Sequence, residues 1–312
     1  MSHDRPSQDI WSPGPPVTPS IAIVAETVDH LASPRTGLWR SALRLWRTRI
    51  GMIFAGAVVI VALVGPYLAP HDPSEFVAAP YAPSGPGLLF GADHLGQDVL
   101  SRFLHGGRSI LLLAVLATAI GVCGGVLVGL TAAYARNAFD DLLMRSMDVV
   151  LAFPQLLLSL VAMATLGPKA WLIVLTVGLT TLPRVARVMR GAAIPVVERD
   201  FVAASEALAE PRLRILGVDV LPNVTGPLVV ETTLRLTYSI GLIASLAFLG
   251  FAASPNAPDW GLMIQENYSA LTVQPWGTLL PVIAIAVLTV GTGLIGDGLA
   301  RASSGIDRGR EA

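Results

Sequence analysis

Apolar residues gather along this chain into long runs, separated by segments rich in proline and glycine or in arginine. A helix that crosses a bilayer needs about 20 mostly apolar residues. Six runs qualify: 50–68, 109–134, 142–166, 170–188, 224–251 and 278–299. Pro154 lies inside the third and Pro183 near the end of the fourth. Prolines are tolerated within spans where neighbouring helices re-satisfy the freed backbone groups. The pattern predicts an all-α, polytopic membrane protein with six transmembrane helices.

The arginines set a direction. Arg35, Arg40, Arg44, Arg47 and Arg49 precede the first run, and Arg136 and Arg145 fall between or just inside the second and third. Arg184, Arg187, Arg190, Arg199, Arg212 and Arg214 fall between the fourth and fifth, and Arg301, Arg308 and Arg310 follow the sixth. The alternate loops hold only Arg102, Arg108 and Lys169. Because basic residues concentrate on the cytoplasmic side, both termini are expected there. Residues 1–34 read as a disordered cytoplasmic tail, 35–69 as a basic segment plus the first span, and 70–108 as an extracytoplasmic loop. Residues 109–300 read as a five-helix core and 301–312 as a second cytoplasmic tail.

Composition agrees with a lipid environment. Hydrophobic residues make up 53% and charged residues 14% of the chain, against about 25% charged in soluble domains. Mean hydropathy is +0.63. A net charge of −1 gives no reason to expect a nucleic-acid partner. The single cysteine, Cys123, excludes an internal disulfide and is expected to be a small buried side chain.

Residues 198–222 are too polar to span. Phe201, Ser205 and Leu208 are spaced four and then three apart, on one helical face. Acidic residues open the segment, as a helix N-terminus favours. Pro211 stops this helix but suits the first turn of another. A short helix–turn–helix between spans four and five is therefore expected on the cytoplasmic side.

The order of residues here resembles a known family. Phe201-Val202-Ala203-Ala204-Ser205-Glu206-Ala207-Leu208-Ala209, an apolar-basic helix, and Leu221-Pro222-Asn223 are similar to the "EAA" loop of ABC import permeases, closest to the peptide and nickel group. The 91–102 segment, Met147 to Pro154, Ser245 to Gly250, Asp259-Trp260-Gly261 and Gly296 to Leu299 are similar to the same group in order and spacing. The family's Glu falls on Ala203 and its Gly on Ala209. Glu206 stands where the family usually has a basic residue. The resemblance implies that Phe201 to Ala209 form a coupling helix that docks on an ATPase subunit. It implies as partners two ATPase subunits, a second homologous permease and an extracytoplasmic binding protein, in a bacterial inner membrane. It implies half of a path for di- or oligopeptides, with nickel or another small solute as the alternative. An ion-coupled carrier, a rival reading, would carry more acidic groups deep in its spans.

No catalytic constellation is visible. The only lysine, Lys169, sits between Pro168 and Ala170, so no Gly-x-x-x-x-Gly-Lys-Ser/Thr phosphate loop can form. No cofactor is expected in this chain, and ATP with Mg²⁺ would be bound by partner ATPase subunits. Gly121, Gly125 and Gly129 recur every four residues, which suits close helix packing. Glu231 and Arg235 are spaced to pair on one helix, as a structural pair or along a translocation path. Asp148 is expected to pair with Arg145. The spacing of His94, Asp98 and His105 fits no tight metal-ligand set.

Overall fold

The computed structural model describes residues 37–254 and 257–304. The expected tail over 1–34, and residues 305–312 of the other, lie outside the described residues. The helices in chain order are α1 (Gly37–Arg44), α2 (Trp46–Leu68), α3 (Val99–Ala135), α4 (Ala138–Leu151), α5 (Gln155–Leu166) and α6 (Ala170–Val197). Then come α7 (Asp200–Ala207), α8 (Thr225–Phe248), α9 (Trp260–Asn267) and α10 (Trp276–Ser304). Five helical stretches are each long and apolar enough to cross a membrane, and α4 with α5 make a sixth if taken together.

That sixth span, expected over 142–166 with Pro154 inside it, is not one continuous helix. The chain breaks between Leu151 and Gln155, and α4 and α5 meet at 76°. Pro154 has no N–H to continue the ladder, and its ring crowds the preceding turn. It also disfavours the helical region for the residue before it, Phe153.

The long pair α3 and α6 forms the centre. On α3, Gly121, Gly125, Gly129, Ala114 and Ala117 are all buried. A Cβ on Gly121 would lie 2.9 Å from the Gly178 carbonyl oxygen, and one on Gly125 would lie 2.9 Å from that of Leu182. One on Gly129 would lie 2.5 Å from the Ala186 carbonyl oxygen. The two backbones therefore touch directly, gaining dispersion contacts in a medium where burial of apolar area from water contributes little. Cys123 lies off this seam. It is exposed rather than buried, because the seam takes every fourth residue and turns 123 outward.

Around this pair, α8 and α10 close the core with Ile240, Ile243, Leu246 and Leu288, and α2 packs along α10. Ile53, Ile60 and Tyr67 remain exposed on α2, as expected where lipid or another subunit takes the place of water.

The 69–98 segment is a folded lobe. The Val77 N–H donates to the Gly96 carbonyl, Tyr81 to Asp93 and Ala92 to Ala82, each at 2.9 Å. Helix α3 begins at Val99, ten residues ahead of its apolar run, because Asp98 caps it by accepting from the backbone N–H of Leu100 and Ser101. At 37 residues it is about 55 Å long, well beyond a hydrocarbon core of about 30 Å.

Replacing Gly125 by Leu should drive α3 and α6 apart and cost about 1–3 kcal/mol. The measurement is thermal unfolding in detergent, with Gly56→Leu as control, since a Cβ on Gly56 would meet no atom within 4 Å. An unchanged midpoint for Gly125→Leu contradicts the contact.

Candidate functional site: the basic end of the bundle

Arg136, Arg187, Arg190, Arg199, Arg212 and Arg214 cluster at the end of the bundle where α3 stops, α4 begins and α6 leads into α7. Helix α7 sits against that end by one side chain. Val202 is 1% exposed and packs among Leu130, Ala133, Met189, Ile215 and Val220. One turn on, Glu206 accepts a hydrogen bond from the Tyr134 hydroxyl at the end of α3. The other face is bare: Phe201 is 40% exposed and Leu208 77%. Ala203, Ala204, Ala207 and Ala209 are exposed too, and the half-buried Ser205 hydroxyl donates to the Phe201 carbonyl. The sequence spacing placed Phe201 and Leu208 together. It did not show that Val202 would be the anchor.

Helix α7 ends in a defined cap. The Ala209 N–H donates to Glu206 and the Glu210 N–H to Ser205, at 2.9 and 3.2 Å. This is the Schellman pattern, whose turning residue is left-handed. Ala209 has φ +56°, a conformation glycine adopts freely and alanine adopts at a cost of about 1–2 kcal/mol. The glycine that the resemblance leads one to expect here would take this conformation without strain.

Beyond Pro211, the second helix of the expected helix–turn–helix runs on into the span. A helical turn at Arg212–Arg214 passes into a π-helical stretch at Ile215–Val220, a 3₁₀ turn at Leu221–Val224, and then α8. Pro222 supplies no N–H there, and the change of pitch takes up the missing rung.

Glu231 and Arg235 are both buried on α8, with Nε and Oε1 2.8 Å apart. The alignment is poor for a hydrogen bond, and Arg235 Nη1 has no acceptor among the described residues. The guanidinium instead lies over the Tyr238 ring at 4.9 Å, which favours a desolvated cation. Tyr238 in turn lines an open groove of about 430 Å³ with Gln155, Thr237, Gly241, Leu242 and Ser245. Sequence spacing located the pair but not this groove. The groove depends on the break at Pro154, which brings Gln155 beside α8.

Other candidate residues find different partners. Asp148 pairs with Arg187 of α6, not with Arg145, because the break turns α4 so that its acidic side faces α6. At the opposite end, His94, Asp98 and His105 do not converge. Asp98 caps α3 and lies 3.4 Å from His71, while His105 donates to the Ser101 carbonyl. His94 instead faces Asp93 and Glu266 at 3.8 and 3.9 Å. These three could hold a cation, but the Arg102 guanidinium already pairs with the same Asp93 and Glu266 oxygens. Burial raises the Glu266 carboxyl above its ordinary value, and Arg102 and His94 draw it back down. Glu266 is far from His94 in sequence, with no motif between them to signal the contact. Nearby, the fully buried Trp260 stacks on Phe103 and donates to its carbonyl at 2.8 Å. Asp259 caps α9, and burial raises its carboxyl against hydrogen bonds from Ser109 and from the Leu262 and Gly261 N–H groups.

This arrangement is a helical membrane bundle with a polar landing at one end and a neutral groove along its side. Residues 125–304 match the family described as binding-protein-dependent transport system inner membrane component, and the chain belongs to that family. It is a multi-pass inner membrane protein and a permease component of ABC importers. Among its relatives, the di/tripeptide transport system permease protein DppC of Pseudomonas aeruginosa is 36% identical over 274 residues, covering 86% of this chain and 90% of that one. The dipeptide permease DppC of Haemophilus influenzae is 31% identical, covering 80% and 87%. The glutathione permease GsiD of Shigella dysenteriae is 32% identical, covering 87% and 90%. The fold is similar to a solved inward-facing MetNI methionine ABC transporter, with a TM-score of 0.53 at 17% identity, covering 65% of this chain and 96% of that one.

Two measurements check these local arguments. Ala209→Gly should stabilise the protein by about 1 kcal/mol in thermal unfolding, since it relieves the left-handed alanine. Asp259→Asn keeps a capping acceptor and removes a buried charge. A carboxyl with a raised folded pKa loses stability as pH climbs from its unfolded value through its folded one. The Asn variant should therefore gain on the parent as pH rises above about 4, and a constant difference contradicts the assignment.

Proposed function

We propose that this chain is one of two permease subunits of an importer for short peptides, driven by ATPase subunits that dock on α7. The basic end faces the cytoplasm, in keeping with the distribution of arginine. The lobe at 69–98 and α9 face outward, where a binding protein would deliver the solute. The supporting observation is α7 itself. One of its faces is held to the bundle by Val202, while Phe201 and Leu208 stand open on another. Large apolar side chains left in water at a polar end are what a partner's groove would cover.

The substrate class rests on kinship and on the groove. The relatives named above carry di/tripeptide, dipeptide and glutathione in their names, all short peptides. The groove offers Gln155, Thr237 and Ser245, neutral groups that suit a peptide main chain, on an otherwise apolar wall. Such a wall accepts varied side chains without demanding one. Glu231 and Arg235 support the groove from behind Tyr238. Two ATPases would close on ATP, and their motion would reach the spans through α7 as rigid-body shifts.

The double variant Phe201→Ala, Leu208→Ala should weaken capture of the ATPase subunit by about tenfold or more, as loss of central apolar anchors does. The assay is co-purification in mild detergent, with the exposed Leu127→Ala as control. Undiminished capture overturns the docking assignment.

A further inference from the structure

Helix α4 is held to the bundle in an unusual way. It is 14 residues long, yet its only buried residue is Asp140, a carboxylate. Phe139, Leu142 and Val149, which could have packed it down, are exposed. Its attachment is polar. Arg190 of α6 grips Asp140 with two parallel bonds, Nε to Oδ1 at 2.6 Å and Nη2 to Oδ2 at 2.5 Å. Two turns further along α4, Asp148 pairs with Arg187, one turn back on α6. The Asp140 side chain is 9% exposed and that of Arg190 32%, so the first pair is the sheltered one and the second lies in the open. A forked guanidinium–carboxylate pair fixes direction as well as distance.

The surroundings give this attachment a consequence. Arg190 lies about two turns before the end of α6, which passes through Glu198 and Arg199 into α7. The far end of α4 is the break at Phe153-Pro154, after which Gln155 opens α5 at the rim of the groove. Displacement of α7 must move the end of α6, and the only sheltered grip of α4 is at Arg190, about two turns before that end. We infer that Asp140 and Arg190 form a positioning pair that carries α4 along with α7, swinging it about the Pro154 break beside the groove. This rests on the proposed docking of ATPase subunits at α7. An apolar seat would resist such a swing through many contacts, whereas one sheltered forked pair, with a second pair in the open, leaves α4 able to turn.

The test uses the whole complex, with its ATPase subunits and second permease, in lipid nanodiscs. In a Cys123→Ser background, spin labels go at Leu142→Cys on α4 and Leu166→Cys on α5, both exposed, and pulsed electron resonance reads their separation. Addition of ATP with vanadate should shift that distance. Asp140→Asn or Arg190→Gln should reduce the shift by about half or more while ATP turnover stays within about twofold. The exchanged pair Asp140→Arg with Arg190→Asp should restore it. Arg190→Lys, which keeps charge but loses the fork, should restore little. A parent complex with bound ATPase but no shift overturns the inference, as does a full shift in the single variants. Where a single variant fails to assemble, the exchanged pair decides: assembly with a restored shift supports the inference, and assembly without one, or failure to assemble, overturns it. Failure of the ATPase subunits to bind the parent complex would refute the docking proposal instead.

Discussion

Direct backbone contact between α3 and α6 is the constraint from which the rest of this structure is built. In lipid, two helices gain little by hiding leucine from each other, since the solvent is equally apolar. Close approach gains dispersion instead, and approach this close needs residues without side chains at the seam, as at Gly121, Gly125 and Gly129. Once these helices are fixed, both ends are fixed. At one end α6 turns into α7, and at the other α3 receives the lobe through the cap at Asp98.

Polar side chains then finish what apolar packing begins. At the lobe, Asp93, His94, Arg102 and Glu266 gather segments remote in sequence into one cluster, with a guanidinium at its centre. At the basic end, Arg187 and Arg190 hold α4, and Tyr134 holds Glu206. These are directional attachments at the two ends of the bundle. Among the described residues the middle has few, such as the hydroxyl pair of Thr118 with Ser239 and the Gln155 amide donating to the Thr180 carbonyl. A bundle that is greasy in the middle and ionic at its ends can shift its ends without repacking its core.

Much of this was legible in the sequence because hydropathy reports directly on contact with lipid. The starts of the apolar runs mark α2, α6, α8 and α10 to within about four residues. The third run misleads because composition cannot distinguish a straight span from a broken one, and Pro154 decides the matter through sterics. The start of α3 was missed because capping by Asp98, not hydropathy, sets it. Periodicity grouped Phe201 with Leu208 but could not identify Val202 as the buried side chain, since that depends on where Leu130 and Ile215 fall in space. The pairings of Asp148 with Arg187 and of His94 with Glu266 were out of reach for the same reason. Spacing within a helix predicts neighbours on that helix and is silent about neighbours across the fold. Cys123 fell to a simpler error, since an apolar run in a membrane has an outside that is apolar as well.

The uninterrupted length of α3 has its own consequence. The α4–α5 span has a joint, and the approach to α8 has its irregular turns, but α3 runs for 37 residues with no proline from the lobe to Tyr134. A stiff beam with no elbow cannot absorb a tilt along its length. Whatever leans on it at one end must be felt at the other in the same stroke, so the lobe at 69–98 and the basic end of the bundle are geared together by one piece of backbone.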